Sequence, residues 1–219
     1  MVDRAPPPSR RSAATPQPTQ AIGRRERAKQ AKRESIIEAA RSLFEEKGFA
    51  ATTTQEIATR ADIGTGTLFL YAQTKEDLLV MVFREEMIAI QARAFQGAPP
   101  KASFVDQLMY VFGCMVDYHE IDIEVARVLM RQVTIATNSE RQAEVKEMLD
   151  GVRAGIGALI ARQKRAGRLS GAFDLVDAAE IIFAVYLLGL LQWLSGYRTR
   201  DEFMRRLPSE LALVTRGLE

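Results

Sequence analysis

The sequence predicts an all-α protein, a small N-terminal three-helix head followed by a larger helical body, and three observations carry that expectation. Beyond Gly23 nearly every segment repeats its apolar residues with the helical period, and no run has the strict alternation of a half-buried strand. Between Thr53 and Tyr71 two short apolar-faced stretches flank Asp62-Ile63-Gly64, a spacing that fits two short helices joined by a sharp turn. Gly97-Ala98-Pro99-Pro100 then interrupts the pattern and marks a hinge.

Residues 1–23, with PPP and PQPT runs and almost no apolar periodicity, are expected to be a disordered basic tail. Ile36, Ile37, Ala40, Leu43 and Phe44 form one stripe, and Gly48 is expected to end that first helix near Lys47. Thr53, with Glu56 three residues on, has capping-box spacing and starts a helix over Thr54 to Ala61. A third helix of about two turns runs from Thr65 to Tyr71, with Leu68 and Phe69 expected in the core. Thr74 caps a long helix carrying Leu78, Leu79, Val82, Phe83, Met87 and Ile90. The remainder parses as helices at about 104–119, 123–136, 140–166, 175–194 and 201–216, with Pro208 expected to kink or split the last or to begin a new helix. The units expected are the tail, a head over 24–80, a connecting helix and hinge over 81–100, and a body over 101–219.

Composition narrows the function. A hydrophobic fraction of 47% and a charged fraction of 26% describe a globular chain. The 30 basic and 28 acidic residues nearly balance, but residues 1–33 hold nine Arg and Lys against Asp3 and Glu26. Such an arm favours a polyanion. No apolar signal core precedes it, so export is not expected and a cytoplasmic location is. Cys114 is the only cysteine and His119 the only histidine, leaving little for acid–base, nucleophilic or metal chemistry. No enzyme activity, cofactor or metal is therefore expected. The most apolar run, from Ile181 to Leu194, is shorter than the ~20 residues that span a bilayer and reads as a buried or intersubunit helix.

The stretch ADIGTGTLFLYAQTKEDLL, residues 61–79, could be read as a phosphate loop, but a dinucleotide fingerprint needs a third glycine where Phe69 stands and a strand before it. A nucleoside-triphosphate loop needs Gly-Lys-Ser/Thr, and Lys75 has no glycine before it. The helix-turn-helix reading fits: Asp62 tolerates the left-handed turn, and Thr65 and Thr67 are short enough to meet base edges or phosphates.

From about Arg33 to Phe83 the chain resembles the TetR-like bacterial transcriptional regulators, through IIEAARSLFEEKGFAATTTQEIATRADIGTGTLFLYAQTKEDLL. That resemblance implies DNA contacts by Thr53 and Gln55, a reading edge made of Thr65, Gly66 and Thr67, and phosphate contacts by Tyr71 and Lys75. Asp62, Gly64, Phe69 and Ala72 depart from the family pattern of glycine, serine, tyrosine and aromatic at those places. Because Glu34, Glu38, Glu45 and Glu46 offset the cations of the head, the arm residues Arg24, Arg25, Arg27 and Lys29 are expected to add phosphate or minor-groove contacts.

For the body the resemblance implies a ligand-binding and dimerisation domain, and hence a homodimeric repressor released from a palindromic operator by a small, mostly apolar effector. A DNA-binding factor of the same fold with no ligand is the alternative. Met109, Phe112, Met115, Val116 and His119, then Met130, Val133 and Thr134, and finally Phe183, Tyr186 and Leu187 are the pocket candidates. Taken singly, each reads at least as well as core, and His119 as a helix-end or surface group. Leu188, Leu191, Gln192 and Phe203, on the last two long helices, are the candidates for a two-fold interface. The partners expected are operator DNA, an unidentified effector and a second copy, and no membrane.

Overall fold

The computed structural model describes residues 23–134 and 139–218, with side chains 134–141 excepted. The expected tail therefore lies almost wholly outside the described residues, as does the side chain of Thr134. Nine α-helices are present among the described residues: α1 Arg24–Ala51, α2 Thr54–Arg60, α3 Thr65–Leu68, α4 Lys75–Gly97, α5 Phe104–Ile121, α6 Ile123–Thr134, α7 Ser139–Arg165, α8 Leu175–Leu194 and α9 Arg200–Thr215. A 3-10 turn, Arg216–Leu218, follows.

Two buried clusters organise them. Ile36, Ile37 and Ala40 of α1, Ile57 of α2, Leu68 of α3 and Leu78 of α4 form the head core. The body core gathers Phe112 and Val116 of α5, Leu129 of α6, Ile156 of α7, Ile182 of α8 and Phe203 of α9, among others. Helix α4 belongs to both: Leu78, Met81 and Val82 face the head, while Leu79, Val80, Phe83 and Met87 face the body. The division between head and body thus runs lengthwise along one helix rather than across it.

Local chemistry explains most boundaries. Gly48 takes φ 81 and breaks the helical geometry of α1 where a helix end is expected. Thr53 and Glu56 form the reciprocal capping box of α2, and Thr74 and Asp77 form another on α4. Asp62, at φ 54, is the only non-glycine with positive φ among the described residues. Its N–H donates to the Thr59 carbonyl at 3.2 Å and that of Ile63 to Ala58 at 3.0 Å, the paired bonds of a Schellman end.

The segment carrying Arg24, Arg25, Arg27 and Lys29 is an exposed helical extension of α1, because RERAKQAKRE holds strong helix formers and no glycine or proline. Two expectations are corrected. Helix α3 keeps α-geometry only to Leu68, and Phe69 is 46% exposed instead of buried. Its side chain stands off the stripe through which Leu68 and Ala72 reach the head core. Pro208 neither splits α9 nor begins a new helix, since α9 runs through it from Arg200 to Thr215. Leu207 and Leu211, both fully buried, hold the helix on either side of the missing donor.

Candidate functional site

The reading edge is built from the α2–α3 turn. Thr65 Oγ1 donates to Gln55 Oε1 at 2.9 Å, so two of the expected DNA-facing side chains are already joined across the turn, and both are accessible. Thr53 lies beside them at the start of α2, donating to Glu56 and receiving the Glu56 N–H. Hydrogen bonds from Lys47 and Thr53 hold the exposed Glu56 carboxyl down to about 2. A Cβ built on Gly66 would meet nothing within 4 Å, and Thr67 is half-buried next to it. Gly66 is thus open to whatever approaches from outside.

Two further features frame that edge. Arg25 and Lys29 of α1 share a surface recess with Leu70 and Tyr71, bringing part of the basic extension alongside the end of α3, while Arg24 and Arg27 are exposed outside it. Leu70, 83% exposed, was missed by sequence reasoning. The signal available was an apolar residue off the stripe that Leu68 and Ala72 define. Lys75, expected at a phosphate, has Nζ donating to the carbonyls of Phe49 and Ala50 at 2.7 and 3.1 Å and lying 4.4 Å from the Phe49 ring centroid. In the free protein it caps the carbonyls that Gly48 leaves at the end of α1.

In the body, most of the expected pocket residues fill the core. Phe112, Met115, Val116, Met130, Phe183 and Tyr186 are buried, and Met109, Val133 and Leu187 pack against them. Phe112 and Tyr186 stack with centroids 4.3 Å apart. The Tyr186 hydroxyl is buried without a hydrogen-bond partner, and burial pushes it above the ordinary phenol range.

A cleft of about 470 Å³ opens instead where α1 and α4 meet α5 and α6. Of the expected pocket set only His119 lines it, and at 4% exposure it is no surface group. Burial holds its imidazole down to about 4, and Nδ1 has no partner. Beside it Glu86 accepts from Arg41 Nε at 3.1 Å and from the Tyr118 hydroxyl at 2.5 Å. Arg41, Phe44 and Glu45 of α1 also line this cleft, which sequence reasoning missed.

On the outer side of α8, Ile181 and Leu188 are 53% and 58% exposed, with Ala184 exposed and Val185, Leu191 and Gln192 half-buried beside them. Leu213 of α9 is 66% exposed. Leu188, Leu191 and Gln192 therefore reach the surface, but Phe203 does not. Its ring is fully buried, and a Cβ on Gly189 would come within 2.2 Å of it, so Phe203 locks α9 onto α8 inside the protomer. By length and hydropathy α8 could also cross a membrane; here its inner face is core.

A three-helix head with a Schellman turn, a short second helix and an exposed small-residue edge, set on a helical body, defines a helix-turn-helix regulator of DNA. Over residues 36–82 the chain matches the family model of bacterial regulatory proteins, tetR family, so its head is similar to those of TetR-like transcriptional regulators. It is 26% identical over 170 residues to the fatty acid metabolism regulator protein of Bacillus subtilis (strain 168), covering 76% of this chain and 85% of that one. It is 25% identical over 187 residues to the transcriptional repressor KstR of Mycobacterium tuberculosis, covering 85% and 82%. Among solved structures, Thermus thermophilus FadR, a repressor crystallised with lauroyl-CoA, aligns at TM-score 0.68 and 23% identity over 85% of this chain and 95% of that one. FadR of Bacillus subtilis, crystallised with stearoyl-CoA, aligns at TM-score 0.61 and 22% identity over 85% and 99%.

Proposed function

We propose that this protein is a cytoplasmic homodimeric repressor that binds a near-palindromic operator and leaves it when an acyl thioester of coenzyme A, or an effector of similar long apolar form, occupies the body. For the DNA half, the observation that carries the reading is the edge itself. Gln55 and Thr65 are preset by their mutual hydrogen bond, and Gly66 has open space before it. Small polar groups there can meet base edges while Thr53, Tyr71 and Lys75, with Arg24, Arg25, Arg27 and Lys29, fix the backbone register. Lys75 must leave the carbonyls of Phe49 and Ala50, or share its charge with a nearby phosphate, to take that part.

For the effector, support comes from the acyl-CoA complexes of the two FadR proteins and from the Tyr186 hydroxyl. That buried donor stands unpartnered among methionine and aromatic side chains, where an entering apolar ligand with a polar group supplies what it lacks. An effector that favours a body arrangement with wrongly spaced heads weakens operator binding by the same factor as operator weakens effector binding. Helix α4, common to both cores, carries the change from body to head.

Pairing is proposed through the outer face of α8 around Ile181, Ala184 and Leu188, joined by Leu213 of α9. Along the chain the proposed units are the head over 24–80, the connector over 81–100 and the body over 101–219, with α4 shared between them: its Leu79 and Val80 pack in the body core and its Met81 and Val82 in the head core. Selecting bound duplexes from a random library tests this reading: the expected motif is two inverted half-sites. A motif without two-fold symmetry, or no enrichment, contradicts it.

A further inference from the structure

We propose that the cleft between head and body binds a cationic amphiphile, a protonated amine carried on an aromatic or aliphatic frame, at a site separate from the body core. The proposal does not rest on the acyl-CoA reading. The cleft's volume, about 470 Å³, falls in the range of small-molecule sites. Phe44, Phe49, Leu79, Val82, Phe83 and Leu129 supply an apolar wall drawn from α1, α4 and α6.

The polar groups around that wall choose the charge. Among the lining residues Glu45, Glu86 and Asp122 stand against one cation, Arg41, while Lys75 behind the Phe49 ring is held by the Phe49 and Ala50 carbonyls. Arg41 is already committed to Glu38, Glu85 and Glu86. One carboxylate oxygen of Asp122 accepts the Val125 N–H at 3.0 Å. Glu45 is exposed and has no hydrogen bond or ion pair among the described residues. An anion entering here meets uncompensated carboxylates, whereas an ammonium meets carboxylate acceptors and aromatic faces.

His119 is the second, independent sign of a ligand. It lines the cleft, is only 4% exposed, and its Nδ1 has no partner. Burial keeps the ring neutral at ordinary pH, so one ring nitrogen carries a lone pair that can accept an N–H from an ammonium. Buried polar groups of this kind are normally paired. The occupant touches α1 of the head and α6 of the body at once, so its affinity is linked to how head and body sit together.

Isothermal calorimetry on the full chain with 4-phenylbutylammonium, and with 4-phenylbutanol and 4-phenylbutyrate as matched neutral and anionic probes, tests the site. The ammonium should bind at least about tenfold more tightly than the alcohol, and the carboxylate more weakly than either. Glu45→Lys should weaken the ammonium about tenfold and leave the alcohol unchanged. Val125→Trp, filling the cleft, should remove binding of all three. Glu45 is exposed and makes no hydrogen bond or ion pair among the described residues, so its variant stays informative even if Val125→Trp unfolds. Equal affinity for the three probes, or an ammonium affinity indifferent to Glu45→Lys, overturns the proposal.

Discussion

Gly66, Lys75 and His119 each do something a single residue can be tested for. Gly66 sits in an exposed helix with no neighbour for a Cβ, so Gly66→Ala should leave the fold as stable or up to about 1 kcal/mol more stable. Operator affinity should nonetheless fall at least about tenfold, because a methyl then stands between backbone and DNA. Unchanged affinity in a binding titration would remove Gly66 from the interface. Lys75→Ala deletes two hydrogen bonds to the Phe49 and Ala50 carbonyls and should lower stability by about 1–2 kcal/mol in urea denaturation. An unchanged midpoint would mean that the lysine is not a cap.

The sign of the His119 effect follows from its shift. Its pKa is lowered from 6.5 to about 4, so below pH 6.5 the unfolded chain binds a proton that the folded one refuses. Stability is lost as pH falls from about 6.5 toward 4 and levels off below. Between pH 7 and pH 5 the loss from this group is about 2 kcal/mol. His119→Gln should lose less over the same interval in urea titrations, and parallel losses in both proteins would contradict the assignment. Asp62 and Thr53 were legible in the sequence because their work is done within a few residues of backbone. Lys75 and His119 were not, since the acceptors of Lys75 lie 25 and 26 residues back along the chain and His119 is buried beside a cleft that only packing creates.

At the scale of elements, periodicity found every helix but could not say which face meets which neighbour. Leu188 and Phe203 were equal candidates for pairing because both lie on long apolar helices. Packing separates them: Gly189 admits the Phe203 ring between α8 and α9, while Leu188 points away. Leu188→Glu should therefore keep the protomer folded, give a monomer by sedimentation and lose tight operator binding. Phe203→Ala should instead cost about 3–5 kcal/mol of stability. A Leu188→Glu dimer with wild-type operator affinity would move the pairing face elsewhere. Pro208 teaches the converse lesson, that a local breaker yields where Leu207 and Leu211 are both buried.

Across the whole molecule, the proposed coupling between sensing and DNA binding runs through α4, whose residues belong to both cores, and through contacts that bridge head and body. Arg33 of α1 pairs with Glu144 of α7 at 3.0 Å, and Arg84 of α4 pairs with Glu147. These partly exposed pairs are each worth about 0.2–1 kcal/mol, enough to bias an arrangement but not to fix it. The larger tie is apolar, since Leu78 and Leu79, adjacent in sequence, belong to different cores. Rotation of α4 that repacks one core must disturb the other. The head was readable as a motif because its turn and caps are local; the junction was not, because no short pattern encodes a cleft shared by four helices.

Ligand-responsive repression is tested most directly by fluorescence anisotropy of a selected operator duplex bound to the full chain, with lauroyl-CoA titrated in. Tight binding without ligand that weakens at least about tenfold, equivalent to a coupling of about 1.4 kcal/mol, is the expected result. Operator affinity unchanged by lauroyl-CoA and by longer acyl thioesters, with the protein still folded and dimeric, would contradict it.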